Sequence, residues 1–200
     1  MNYMVGHIIE APFKRIGLYC TIAPSTIIRN AEAIEIGDNV RIDEFCIIDG
    51  GAGLKIGSHV HISARSTIYS GAGVEIGEFA DLSMGCLVLS ESDDFSGKSM
   101  IGPQFPRRFK PGYCSPGPIR IGKFAAIGAN STIMPGVQIP EGVAVGAHSL
   151  VRHSIMEAWT IWAGVPARKL KQRSQEIVDI SELYLDWFRN GDRHVKAPRT

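Results

Sequence analysis

Apolar residues recur along this chain with two nested periods. Ile16, Ile36, Ile56 and Ile76 stand twenty apart, and the residues around them repeat as well, as in Ile34-Glu35-Ile36-Gly37 and Val74-Glu75-Ile76-Gly77. Inside each block the apolar residue returns every six: Ile36, Ile42, Ile48; Ile56, Ile62, Ile68; Ile76, Leu82, Val88. A stricter run follows at Ile121, Ile127, Ile133, Ile139, Val145 and Val151. A six-residue period inside a twenty-residue period marks a parallel β-helix, in which no single repeat buries its own face and stacking does so for all of them. The expected class is all-β.

The pattern predicts coils of three short strands joined by corners. In each strand an aliphatic anchor and a small residue two before it point inward, and the residue between points out. Spare residues collect at Asp49-Gly50-Gly51-Ala52-Gly53 and Ser70-Gly71-Ala72-Gly73, where glycine permits a positive φ. Four coils are expected from about residue 16 to 93 and two more from about 119 to 156, about six in all. Between them, residues 91–118 break the pattern with five prolines and the basic Arg107, Arg108 and Lys110. An interruption this long inside a compact domain reads as a functional arm, and because the repeat resumes in phase the arm is expected to project.

After Arg168 the period changes. Ile177, Ile180, Tyr184, Trp187 and Phe188 recur at threes and fours, the signature of an amphipathic helix, with Ser174 as its cap and Asn190-Gly191 as its stop. That helix is expected to plug the last coil or to pack on a neighbour. The expected layout is an N-terminal segment 1–15, a β-helix domain 16–167 carrying the arm 91–118, a helical segment 168–190 and a mobile tail 191–200.

Composition narrows the function classes. The 200 residues carry a net charge of +1, which suggests neither a nucleic-acid nor a membrane partner. No apolar run reaches the length of a membrane span, and the first ten residues do not read as a signal peptide, so a cytoplasmic location is expected. Cys20, Cys46 and Cys86 each fall in the small inward slot, two residues before an anchor. Cys46 and Cys86 would sit two coils apart, about 9–10 Å at the strand spacing, beyond disulfide reach, so three packed thiols are expected. Cys114 lies outside the repeat and nothing marks it as a nucleophile. Late basic residues (Arg152, Arg168, Lys169, Lys171, Arg173) are too local for a DNA-binding face but suit a few phosphates.

Four stretches carry a resemblance: Ile127-Gly128-Ala129-Asn130, Pro135-Gly136-Val137, Val145-Gly146-Ala147-His148-Ser149 and Ala163-Gly164-Val165-Pro166-Ala167-Arg168. Together with the hexads over about residues 16–173, they resemble the hexapeptide-repeat acyltransferases, closest to sugar O-acetyltransferases of the galactoside/maltose and the O-antigen/capsule type. The resemblance implies a left-handed β-helix and a homotrimer with an active site in each groove between neighbours. It implies acetyl-CoA as donor, with contacts at Ala129, Ala147, Arg152, His153, Arg168 and Lys171, and a sugar acceptor.

Acyl transfer from a thioester needs a base for an acceptor hydroxyl, a donor for the oxyanion, and both substrates held together. The family places a basic histidine at the root of the arm. Here that stretch reads Leu89-Ser90-Glu91-Ser92-Asp93-Asp94 and the arm holds no histidine. Three alternatives follow. Asp93 or Asp94 is the base, with a dry groove and a like charge raising its pKa. His61, in Val60-His61-Ile62-Ser63-Ala64, is the base. Or no strong base is needed, because the acceptor is an amine. Ser63 falls where the family places an acceptor-binding, oxyanion-contacting side chain. Two other classes remain open: an inactive β-helix scaffold, and a γ-type carbonic anhydrase, for which His148 and His153 have the right spacing. No metal is expected.

Overall fold

The computed structural model describes residues 11–110 and 117–191. The first ten residues, Cys114, the side chain of Arg107 and all of the expected tail beyond Gly191 lie outside them. The chain winds into a parallel β-helix of six complete coils plus one further parallel strand, consistent with the left-handed form. The first sheet stacks Arg15–Ile16, Ile34–Ile36, Leu54–Ile56, Val74–Ile76, Ile119–Ile121 and Gln138–Ile139. The second stacks Thr21–Ile22, Arg41–Ile42, His61–Ile62, Asp81–Leu82, Ala126–Ile127, Ala144–Val145 and Thr160–Ala163. The third stacks Ile27–Arg29, Ile47–Asp49, Thr67–Tyr69, Leu87–Leu89, Thr132–Ile133 and Leu150–Val151.

The anchors form the core. Ile22, Ile42, Ile48, Ile62, Ile68, Leu82, Val88, Ile127 and Ile133 are each fully or almost fully buried in one continuous column. Burying one such side chain stabilises the fold by about 1.5–3 kcal/mol, and each anchor touches its equivalents above and below. The inward slot does more than save space. Its thiols and hydroxyls donate to corner carbonyls of the next coil: Cys46 Sγ to Ser63 O (3.3 Å), Ser66 Oγ to Ser83 O (3.2 Å), Cys86 Sγ to Gly128 O (3.3 Å) and Ser131 Oγ to Gly146 O (3.0 Å). The corner between the second and third sheets is thereby tied from within, which matters below because chemistry-bearing residues sit there. The three cysteines are free thiols.

The arm enters between consecutive coils without disturbing their register: Val74 pairs with Ile119, Asp81 with Ala126 and Leu87 with Thr132. Among its described residues it forms no strand, only a short 3-10 turn at Arg107–Phe109. It is laced to its own root. Lys110, 5% exposed, reaches Asp93 Oδ1 at 3.1 Å and donates to Gly102 O at 2.9 Å.

The C-terminal region departs from expectation in two ways. Arg168–Gln172 is a strand, paired antiparallel with Thr160–Ala163, where a helical segment was expected. Helix α1 begins only at Glu176 and ends at Asn190, with Gln175 in the cap position; Ser174 Oγ accepts from Glu176 N at 3.2 Å. The hairpin reverses the chain, so α1 does not plug the last coil. It runs back along the corner between the first and second sheets. Arg173 holds the turn-back by donating to Phe124 O (2.8 Å) and Gly142 O (3.0 Å), so it is a structural bond rather than a free phosphate ligand.

Candidate active site

On the outer surface of the second sheet, two columns run along the prism axis. Residues before each anchor read Arg41, His61, Asp81, Ala126 and Ala144; residues after it read Asp43, Ser63, Ser83, Gly128 and Gly146. The face is therefore charged and hydroxylic over coils two to four, then smooth over coils five and six, with Ile161 next to Ala144 in the turn that follows. The stacking itself selects the smooth part. A Cβ on Gly128 would stand 2.4 Å from Ala147 N, and one on Gly146 would stand 2.9 Å from the Ala163 side chain. Ala129 and Ala147 continue this track at the corner, followed by Gly164 in the seventh turn.

In the polar part, His61 lies between two carboxylates. Its Nε2 is 2.8 Å from Asp43 Oδ2 and its Nδ1 2.9 Å from Asp81 Oδ1. Arg41 Nε donates to the other oxygen of Asp43 at 2.6 Å, and Ser83 Oγ donates to Asp81 Oδ2 at 3.3 Å. Hydrogen bonding to Asp81 raises the His61 pKa above the ordinary histidine value, against the lowering effect of burial. Asp43 is held below the usual carboxylate range; burial opposes this, but the hydrogen bonds from His61 and Arg41 outweigh it. His61 thus has no ring nitrogen free to take a proton, because carboxylates only accept. Ser63 Oγ, two residues on, has no hydrogen-bond partner among the described residues.

Asp93 and Asp94 lie elsewhere, at the corner between the third and first sheets. Asp93 is engaged by Lys110 and by Gly102 N (3.1 Å). Asp94 accepts from Ser96 N and Ser96 Oγ, both at 2.8 Å, and these bonds lower its pKa rather than raise it. The rise expected for Asp94 is therefore absent in the single chain. A cavity of about 480 Å³ opens between this corner and the arm, lined by Tyr69, Gly71, Glu91, Asp93, Pro103 and Lys110 among others.

The expected donor residues divide in the same way. Ala129 and Ala147 lie on the track, with Arg168 and Lys171 exposed on the edge strand beside Ala163 and Ile161. Arg152 and His153 follow the strand Leu150–Val151, which places them at the third–first corner with Asp93 and Asp94. His148, at the start of that strand, stands at its opposite edge from His153. One chain therefore holds two half-sites, on either side of its third sheet. Sequence reasoning missed Ser83, Asp43 and Asp81, although their twenty-residue spacing from Ser63 and His61 was a signal that could have found the column.

Comparison with known proteins decides the family. A dTDP-4-amino-4,6-dideoxy-D-glucose acyltransferase of Escherichia coli is 32% identical over 176 residues, 88% of this chain and 90% of that protein. The chain belongs to the hexapeptide-repeat acyltransferases. Residues 53–90 and 118–149 match the family described as the hexapeptide repeat of succinyl-transferase. AntD, an N-acyltransferase from Bacillus cereus, is 40% identical; its complex with dTDP-4-amino-4,6-dideoxyglucose and coenzyme A superimposes with a TM-score of 0.82 over 87% of this chain and 91% of that one. Another AntD structure, with dTDP and 3-hydroxybutyryl-CoA, gives 0.84 over 89% and 93%. Several AntD structures carry a substitution at one serine or one aspartate. A shorter match, 48% over 56 residues, is to the putative lipopolysaccharide O-acetyl transferase WbbJ of Escherichia coli.

Proposed function

We propose that this acyltransferase moves an acyl group from acyl-CoA to the amine of a nucleotide-linked amino sugar. One observation carries the reading: the second sheet passes without a break from a polar cluster to a run of glycine and alanine at Gly128, Ala129, Gly146 and Ala147. A flat pantetheine arm fits along Ala129 and Ala147, where backbone groups are within its reach, and Arg168 and Lys171 at the end of the track pair with its phosphates. The thioester then lies near Ser63 and Ser83. Acetyl-CoA is the simplest donor.

The acceptor is read as an amine because the histidine expected for activating a hydroxyl is missing and His61 has both nitrogens engaged. A neutral amine attacks a thioester without a strong base. The nitrogen bonds to the carbonyl carbon, the carbon–sulfur bond breaks, and the proton lost by nitrogen reaches the departing thiolate. Asp94 or Asp93 orients the amine and carries that proton, and Ser63 contacts the carbonyl oxygen. The two AntD complexes and the amino-sugar acyltransferase of Escherichia coli support this substrate class.

The two half-sites support a homotrimer, in which the second sheet of one copy faces the third–first corner of the next. The third sheet and its adjoining corner expose Ile27, Phe45, Met84 and Leu87, each at least 38% accessible in the single chain, and a second copy would cover them. The products suit surface-polysaccharide assembly in the cytoplasm. Thiol release from acetyl-CoA, measured with a dTDP-linked amino sugar and with its hydroxyl analogue, tests the reading. Turnover of the amine alone is expected. Release with neither acceptor would end it, and light scattering reporting a monomer would end the shared site.

A further inference from the structure

Resting on the amine-acylation reading, we propose that His61 is a positioning residue, a fixed cation clamped between Asp43 and Asp81 that acts on the transfer through Asp81 and Ser83. Both partners of the ring are carboxylates, which have no proton to give. At 2.8 and 2.9 Å, each ring nitrogen must therefore donate, and each must carry hydrogen. Charge closes the same way. The groups facing the ring from the strand below and the strand above are Arg41, Asp43 and Asp81, one cation and two anions. An imidazolium completes a neutral quartet; a neutral ring would set one bare nitrogen lone pair against a carboxylate oxygen, with no hydrogen between them.

The consequence reaches Ser83. With Oδ1 of Asp81 bound to His61, Oδ2 is left to accept the Ser83 hydroxyl hydrogen. The Ser83 oxygen is then turned with its lone pairs outward, as an acceptor for an N–H of the attacking amine. Ser83 is also the last hydroxyl of its column: the next position up is Gly128, where the track begins. It stands where the polar cluster meets the acyl carrier. Loss of the clamp frees Asp81 to rotate, and the serine loses its defined direction.

Histidine-labelled full-length protein examined by nitrogen-15 NMR reads the clamp directly. Both His61 nitrogens are expected to keep protonated shifts to higher pH than those of an ordinary histidine. Asp81→Asn should return His61 to the ordinary range. A bare ring nitrogen in the wild-type protein at neutral pH would overturn the proposal. Single-turnover transfer reads the consequence. His61→Gln is expected to lose about 10- to 100-fold in rate, with KM for acyl-CoA unchanged and the shape of the pH profile kept. The pair His61→Gln/Asp81→Asn should be no slower than either single change. Removal of an acid limb from the profile would make His61 a base after all, and a full rate in His61→Gln would make it merely structural; either sinks the proposal. A wild-type chain that acylated no amine would end the amine reading, and the ionisation of His61 would still be decided by its own spectrum.

Discussion

The imidazole of His59 lies flat on the ring of Phe79, with centroids 4.8 Å apart and planes 11° from parallel. Phe79 in turn stacks on Phe124 at 5.2 Å. All three sit at left-handed corners, φ 60°, 58° and 57°, a conformation that costs bulky residues energy and here aims each ring the same way. Helix α1 closes over this stack through Tyr184 and Phe188, edge-on to His59 at 5.3 and 5.1 Å. The Asn39 amide donates to Tyr184 Oη at 2.8 Å, and His59 Nδ1 lies 3.1 Å from that amide and 3.2 Å from Tyr184 Oη. Nδ1 therefore serves as an acceptor, which requires the neutral ring.

Burial lowers the His59 pKa; Glu78 and Asp38 pull it upward, and Arg189 pushes it down. The folded value thus lies below the unfolded value of about 6.5. Between the two the unfolded chain binds more protons, so this group's stabilisation is full above about pH 6.5 and fades as pH falls through the depressed folded value. Hydrogen exchange in α1 is expected to quicken on acidification within that window before the β-helix loosens. His59→Phe, which extends the stack with a ring that cannot ionise, should remove that acid sensitivity. Equal acid sensitivity in the variant would dismiss His59 as the cause.

The track along the second sheet makes a separate prediction. Ala147 is exposed and packs nothing, so a larger side chain there leaves the coils intact. Ala147→Phe should raise KM for acyl-CoA by about 10-fold or more, the equivalent of about 1.4 kcal/mol, with Tm unchanged. Steady-state kinetics beside a thermal melt distinguish this from general damage. An unaltered KM would move the pantetheine arm off this corner.

The anchors were legible because one face of each strand must be apolar and the coil length repeats; Ile36, Ile42 and Ile48 could hold no other position. The Arg41–His61–Asp81 column was equally periodic, but polar residues carry no inward or outward signal of their own, so its pairing appeared only once register was known. The aromatic stack was hidden by the arm, which separates Phe79 from Phe124 by forty-five residues instead of twenty. The spacing of Ile177, Ile180 and Tyr184 announced an apolar helix face without saying what it covers. Arg168–Gln172 is exposed throughout and held by backbone bonds to its neighbour, so no hydrophobic pattern could reveal a strand. The split of Asp93 and Asp94 from His61 depends on which corner the arm leaves, a count of strands rather than a motif.

The cysteines should be chemically quiet. Burial raises the pKa of Cys20 and Cys46, and that of Cys86 is pushed up to about 11. Thiolate is the reactive form, so native protein at neutral pH should leave all three unmodified by an aromatic disulfide reagent, and denaturant should expose them together. Mass spectrometry of the labelled peptides checks this residue by residue. Rapid native labelling of Cys86 would mean that the fourth coil opens far more readily than its packing implies.

Lys110 offers the last test, because it joins the arm to one half-site. Its ammonium is almost wholly buried against Asp93 and Gly102 O, while Asp93 lines the cavity at the arm's root. Removing one partner of a buried pair leaves the other charge poorly compensated and costs about 3–5 kcal/mol; Asp93 keeps some solvent contact, which places the loss at the lower end. Lys110→Met should therefore loosen the arm while the coils, whose register passes beneath it undisturbed, keep their melting transition. Limited proteolysis should cut within residues 91–118 faster than in the wild type, with acyl transfer falling in parallel. Lys110→Met/Asp93→Asn, which removes both charges, should regain much of the protease resistance. If it also regains full transfer, Asp93 has no part in handling the acceptor and the proton falls to Asp94. If resistance returns without activity, Asp93 belongs to the chemistry itself.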